Sequence, residues 1–121
     1  MKKLIVDLDE TISFTTKGDY INSKPNLPLI EKLRDYKSIE FTIVIFTARN
    51  MRTYSNNIGK INIYTLPNII KWLNKYNVPF DEILIGKPWC GHDGFYIDDK
   101  AVRPSEFITK SYDEIKDLIS N

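Results

Sequence analysis

Three observations predict a three-layer α/β domain built around a parallel sheet. Short apolar, β-branched runs recur along the 121 residues, and they are too short to be helices. Between most of them lie segments whose apolar residues fall at helical spacing. Acids, a threonine and a lysine sit at or just past the ends of those runs, where open parallel sheets bind ligands.

The elements follow in order. Residues 3–8 (KLIVDL) read as a strand apolar on both faces. Residues 12–24 mix β-formers with Lys-Gly-Asp, a hairpin signal. Leu29, Ile30, Leu33 and Tyr36 form a helical stripe over 27–36, with Pro28 suited to the first turn. Residues 40–46 (EFTIVIF) give a second strand. The polar stretch 48–63 reads as a long loop or broken helix, and structureless connections of that length are usually functional. Residues 65–76 predict a helix capped by Thr65, with Ile69, Ile70, Leu73 and Tyr76 on one face. Residues 82–85 (EILI) and 95–97 (FYI) predict strands three and four. A short turn at 104–107 and a helix over 111–119 close the chain.

Composition bounds the function classes. Hydrophobic residues make up 42% and charged residues 27%, an ordinary globular balance. A net charge of +1 gives no support for a nucleic-acid or anionic-membrane surface. The N-terminus runs only three apolar residues before an acid, so neither a signal segment nor a membrane span is expected, and the expected location is cytoplasmic. The lone cysteine, Cys90, excludes an intrachain disulfide and reads as a half-buried thiol. One domain over 1–121 is expected, without repeats or linkers.

The strand ends carry the chemistry. Asp7, Leu8, Asp9, Glu10 and Thr11 follow the first, Thr47 the second, Lys87 the third, and Asp98 with Asp99 the fourth. Alternation sends Asp7 and Asp9 to one side and Leu8 to the other, into the core. Packed carboxylates repel unless a cation neutralises them, and hard oxygen ligands select Mg²⁺. The cation and an ammonium suit a phosphoryl group. Taken singly, each residue has an ordinary reading as a solvated strand end, a helix cap or a surface lysine. Their joint placement is the signal.

Asp7-Leu8-Asp9-Glu10-Thr11 resembles the DxDxT signature of haloacid dehalogenase superfamily phosphatases. Thr47, Lys87 and the Asp98-Asp99 pair resemble that superfamily's second, third and fourth motifs. The runs FTARNMR at 46–52 and GKPWCGHDG at 86–94 are similar to small bacterial phosphatases of capsular-polysaccharide gene clusters. Glu10 departs from the glycine that many of these relatives carry. The resemblance implies a capless, Rossmann-like domain with about four parallel strands in order 4-1-2-3 and a flap hairpin at 12–24. It implies that Asp7 attacks phosphorus to give an aspartyl-phosphate. Asp9 would act as acid and then base, which needs a raised pKa, and Thr11 would hold Asp9. Asp7, the Asp9 carbonyl, Asp98 and Asp99 would hold Mg²⁺, with Asp99 the favoured direct ligand of the pair.

Arg49, Asn50, Arg52 and His92 are candidates for the substrate's leaving group. The expected substrate is a small phosphorylated sugar, polyol or amino alcohol that feeds a surface polysaccharide. A homo-oligomer is one way to cover an open site. The rival readings are a phosphotransferase of the same fold and a non-enzymatic phosphoacceptor or scaffold domain.

Overall fold

The computed structural model describes residues 2–120. They gather into two compact units, one running up to Trp89 and one starting at Cys90.

The first unit contains β1 (Lys3–Val6), β2 (Ser13–Phe14), β3 (Lys24–Pro25), α1 (Leu27–Ser38), β4 (Thr42–Thr47), α2 (Ile58–Tyr64), α3 (Leu66–Lys75) and β5 (Glu82–Ile85). Its sheet has the order β1-β4-β5, all parallel. Leu4 lies beside Ile43, Val6 beside Ile45, and Ile45 beside Ile83. These residues share one face. Lys3, Ile5, Val44, Phe46, Glu82 and Leu84 share the other.

The strand order explains why the two faces differ. Both crossovers step the same way across the sheet. Parallel strands connect by right-handed crossovers, so α1 and the α2–α3 pair stack on the same face. Ile43 and Ile45 on that face are fully buried, together with Leu29, Ile30, Leu33, Ile61, Ile69 and Leu73 from the helices. On the opposite face Val44 is covered, yet Ile5 is 63% and Leu84 47% exposed.

Local sequence accounts for most boundaries. Asn26 caps α1 by accepting from the Leu29 N–H, and Pro28 occupies the first turn. Asn57 caps α2 by accepting from Lys60, so part of the expected loop at 48–63 is a helix. Thr65 does not cap α3 as predicted. It is buried, and its hydroxyl donates to Asn50 Oδ1 at 2.7 Å instead. Ile70 faces outward, and Trp72 takes the expected place beside Ile69 and Leu73. The Trp72 indole N–H donates to the Ser23 carbonyl at 3.0 Å, which ties α3 to the base of the β2–β3 hairpin. That hairpin is the predicted flap, and it carries a short 3₁₀ turn over Tyr20–Asn22.

The second unit contains α4 (Pro104–Thr109) and α5 (Tyr112–Ile119). A capping box starts α5: Ser111 accepts from the Glu114 N–H, and Glu114 accepts from the Ser111 N–H. The predicted turn at 104–107 is thus a helix of its own. The predicted fourth strand at 95–97 is not a strand. Among the described residues the parallel sheet has three strands, so the order 4-1-2-3 reduces to β1-β4-β5. Phe95 and Ile97 are 76% and 89% exposed. Three apolar residues hold an extended form only against a hydrogen-bonded neighbour, and here they have no ladder.

Among the described residues no helix is long and apolar enough to cross a membrane. Cys90 is a half-buried free thiol.

Candidate active site

The loop after β1 turns back immediately. The Leu8 carbonyl accepts the N–H groups of Thr11, Ile12 and Ser13, and the Glu10 N–H donates to the Ser13 carbonyl. The turn requires a left-handed residue at Glu10, whose φ is 60°. A β-carbon is strained in that region, a cost that glycine would not carry. The Glu10 carboxylate accepts from the Thr15 N–H at 3.1 Å, a local offset to that strain. Leu8 is buried, as alternation predicts, and the buried Asn26 donates to the Thr11 carbonyl at 2.9 Å. One asparagine thus caps α1 and pins the acidic loop. Sequence reasoning missed this residue, although an Asn directly before Leu-Pro carries the cap signal.

Asp7 and Asp9 share a strand end but meet different surroundings. Asp7 Oδ2 accepts from the Thr11 hydroxyl at 3.2 Å, and Lys87 Nζ lies 3.5 Å from Oδ1. Burial pushes the Asp7 carboxyl above its ordinary range, and nearby Asp9 adds to the rise. The Lys87 ammonium, the Leu8 backbone N–H and the Thr11 hydroxyl oppose it. Thr11 therefore holds Asp7, not Asp9 as expected.

Asp9 is clamped by Arg49. The guanidinium donates to Asp9 Oδ1 at 2.7 Å and to Oδ2 at 3.2 Å, a bidentate pair. Arg49 is buried, and its guanidinium lies 4.2 Å from the centre of the Tyr20 ring, which the flap supplies. Burial and the Asp9 carboxylate raise the Tyr20 phenol, while Arg49 lowers it. Neither the pairing nor the stacking partner was legible in the sequence, because the three residues are far apart along the chain.

Thr47 ends β4 and is buried. Its hydroxyl accepts the Arg49 N–H at 3.0 Å, and its carbonyl accepts the Lys87 N–H at 3.1 Å. Lys87 follows Gly86, whose φ is +87° and whose absent β-carbon would lie 2.6 Å from the Ile58 side chain. The β4 and β5 ends are thereby locked to each other.

Asn50 and Arg52 of the first unit make other contacts. Asn50 has a left-handed φ of 63° and joins Thr65 and Thr53. Arg52 lies 5.7 Å from the Trp89 ring centre. In the second unit His92, Asp93, Asp98 and Asp99 are exposed, and Asp98 accepts from the Lys100 N–H at 2.8 Å. Among the described residues no group of three or more His, Cys, Asp or Glu side chains converges as a metal cage. The donors of the β1 loop are the Asp7 carboxylate, the Asp9 carbonyl and the Asp9 carboxylate, both of whose oxygens also accept from Arg49. Such a set fits Mg²⁺, which keeps several waters and takes one or two carboxylates plus a substrate phosphate.

Fold and site together define a small α/β protein with acids, a hydroxyl and an ammonium gathered at the carboxyl edge of a parallel sheet. The chain is 62% identical to a target protein from Vibrio cholerae known by its crystal structure. That match covers 99% of this chain and 98% of the other, with a TM-score of 0.97, so the two belong to one family. A chain of the Pnkp1/Rnl/Hen1 complex is 18% identical, with a TM-score of 0.55. It matches 91% of this chain and 35% of its own length, which shows a shared α/β fold. No family model and no curated protein matches the chain.

Proposed function

We propose that the chain is a Mg²⁺-dependent phosphomonoesterase of the haloacid dehalogenase type, with Asp7 as nucleophile. One observation carries the reading. Asp7 stands at the end of β1 with a hydroxyl at 3.2 Å and an ammonium at 3.5 Å, and these groups come from two different strand ends. A carboxylate held between a donor and a cation is oriented to attack, and the cation also neutralises the incoming phosphate.

An Asp7 oxygen attacks phosphorus in line, forming an aspartyl-phosphate as the bond to the leaving oxygen breaks. Asp9 gives its proton to that alkoxide. It then takes a proton from the water that attacks the acyl-phosphate, which releases inorganic phosphate and restores the Asp7 carboxylate. Both Asp9 oxygens are engaged by Arg49 at rest, so Arg49 must yield one of them when Asp9 carries the proton. Lys87 and Thr47 hold the phosphoryl oxygens. Mg²⁺, when bound by Asp7 and the Asp9 carbonyl, supplies charge neutralisation of the phosphate. Asp98 or Asp99 completes its ligands in this reading.

The substrate proposed is a small phosphorylated sugar, polyol or amino alcohol used in making a surface polysaccharide, and the enzyme acts in the cytoplasm. The test is a phosphomonoester panel with Mg²⁺, scored by kcat/KM. EDTA abolishes turnover and Mg²⁺ restores it. Full activity in chelator removes the metal, and no turnover of any ester removes the phosphatase reading.

A further inference from the structure

The flap hairpin meets the site through one aromatic ring. Both arms of its base are tied. The Thr15 and Ser23 hydroxyls lie 2.6 Å apart, and the Thr15 N–H donates to Glu10 in the acidic loop. Ser23 is buried, and its carbonyl accepts from Trp72. Between the arms the chain bends through Lys17 and Gly18, at φ 52° and 73°. The Asp19 N–H then donates to the Thr16 carbonyl at 3.0 Å, and the Asn22 amide donates to the Asp19 carboxylate at 2.8 Å. This preset turn sends two neighbours in opposite directions. Ile21 is 83% exposed, whereas Tyr20 is half-buried with its ring over the Arg49 guanidinium.

We infer that Tyr20 is a positioning residue: its ring face holds the Arg49 guanidinium, and through it the Asp9 carboxyl, in the place where Asp9 exchanges its proton. The role rests on the phosphatase reading, which makes two demands on Asp9. As acid it must release part of its double bond to Arg49, and as base it must return to the same place. While Asp9 is neutral the Arg49 charge loses its counter-charge. The Arg49 side chain is 4% exposed, so water is a poor substitute partner. The Tyr20 ring centre lies 4.2 Å away, and a ring face attracts a cation most where water is excluded. Tyr20 thereby stabilises the guanidinium at the moment Asp9 cannot. The backbone end of Arg49 is fixed as well, since its N–H donates to the buried Thr47 hydroxyl at 3.0 Å. A guanidinium held at both ends steers Asp9 along one path. Asp9 first meets the leaving alkoxide and then the water whose oxygen bonds to phosphorus as the bond to Asp7 breaks. The contact runs through the ring face, so a phenylalanine ring serves as well.

The contact is tested first, without substrate. Equilibrium urea unfolding compares Tyr20→Leu, Arg49→Met and the double variant. The double variant is expected to lose at least about threefold less of its folded-to-unfolded ratio than the product of the two single losses. Independent losses overturn the inference. Turnover is then followed on dinitrophenyl phosphate, whose leaving group needs no acid, and on an alkyl phosphate, whose leaving group does. Tyr20→Leu is expected to lower kcat on both by a factor on the order of ten. On the dinitrophenyl ester kcat/KM stays within about threefold of native, because that ratio ends at the aspartyl-phosphate and the slowed step is its hydrolysis, with Asp9 as base. Tyr20→Phe restores kcat on both esters. An unchanged kcat in Tyr20→Leu overturns the positioning role while the phosphatase reading stands. So does an equal fall of kcat and kcat/KM on the dinitrophenyl ester, or a Tyr20→Phe variant as slow as Tyr20→Leu. A native chain that hydrolyses neither ester removes the phosphatase reading itself, and the positioning role with it.

Discussion

The end of β1, in the β1–β4–β5 sheet, and the segment Gly94–Asp99 have similar compositions, each an apolar run followed by acids. Their states differ. At the sheet end three candidate groups are tied to distant ones: Asp7 to Lys87, Asp9 to Arg49, and Thr47 to Lys87. In 94–99 Asp98 accepts from the Lys100 N–H, a local bond. Apolar, β-branched character alone does not make a strand or a site. A neighbouring ladder makes the strand, and side chains arriving from other strand ends make the site.

The comparison breaks most visibly at Asp7. Asp7→Asn is expected to lower kcat on p-nitrophenyl phosphate by more than about a hundredfold while the far-ultraviolet circular dichroism stays unchanged. It also has a signature in stability. The Asp7 carboxyl is raised in the folded state, so folding binds its proton more tightly. That contribution is full below the ordinary value of 3.8 and is lost as pH rises through the raised value. Asn keeps the neutral form at every pH. Asp7→Asn therefore melts higher than the native chain near about pH 7, and the gain vanishes in acid. An equal shift at all pH values would contradict the assignment.

Lys87→Ala is expected to cut kcat/KM on the order of a hundredfold, by a similar factor for every ester, because the phosphoryl group is common to all. A loss confined to bulky esters would mean that Lys87 reads the leaving group. The sequence makes Arg49 a candidate for leaving-group contact, yet it is buried against Asp9. Arg49→Ala should therefore slow all esters alike and lower stability by about 1–3 kcal/mol, since it strands a half-buried carboxylate. Equilibrium urea unfolding of Arg49→Ala, Asp9→Asn and the double variant measures the coupling. Additive losses would dissolve the pair.

The second region should behave in the opposite way. Asp98→Ala and Asp99→Ala are expected to shift stability by less than about 0.5 kcal/mol while raising the Mg²⁺ needed for half-maximal rate, Asp99→Ala more. A large loss of stability would show that the acids already bear structural load. The smallest effect belongs to Glu10→Gly. Relief at φ 60° is worth about 1 kcal/mol, and it is set against the lost Thr15 contact and the greater freedom of glycine in the unfolded chain. Thermal melting should show no more than about 1 kcal/mol either way, with unchanged kcat.

What the sequence determined by itself is local. Period-two and helical spacing placed β1, β4, β5, α1, α3 and α5 within a few residues, because burial of one face is written in the pattern. The Asp7-to-Thr11 signature, Thr47 and Lys87 marked the ends of the right strands, because a parallel sheet exposes its carboxyl edge whatever its details. Tertiary structure decided which group each of those residues meets. Thr11 serves Asp7, Arg49 clamps Asp9 over Tyr20, and Thr65 leaves its helix to join Asn50. These contacts span up to 40 residues, and their geometry depends on crossovers that no local pattern encodes. The run at 95–97 shows the same limit from the other side. Its apolar residues fit a strand, but a strand requires a partner, and only the folded arrangement says whether one is there.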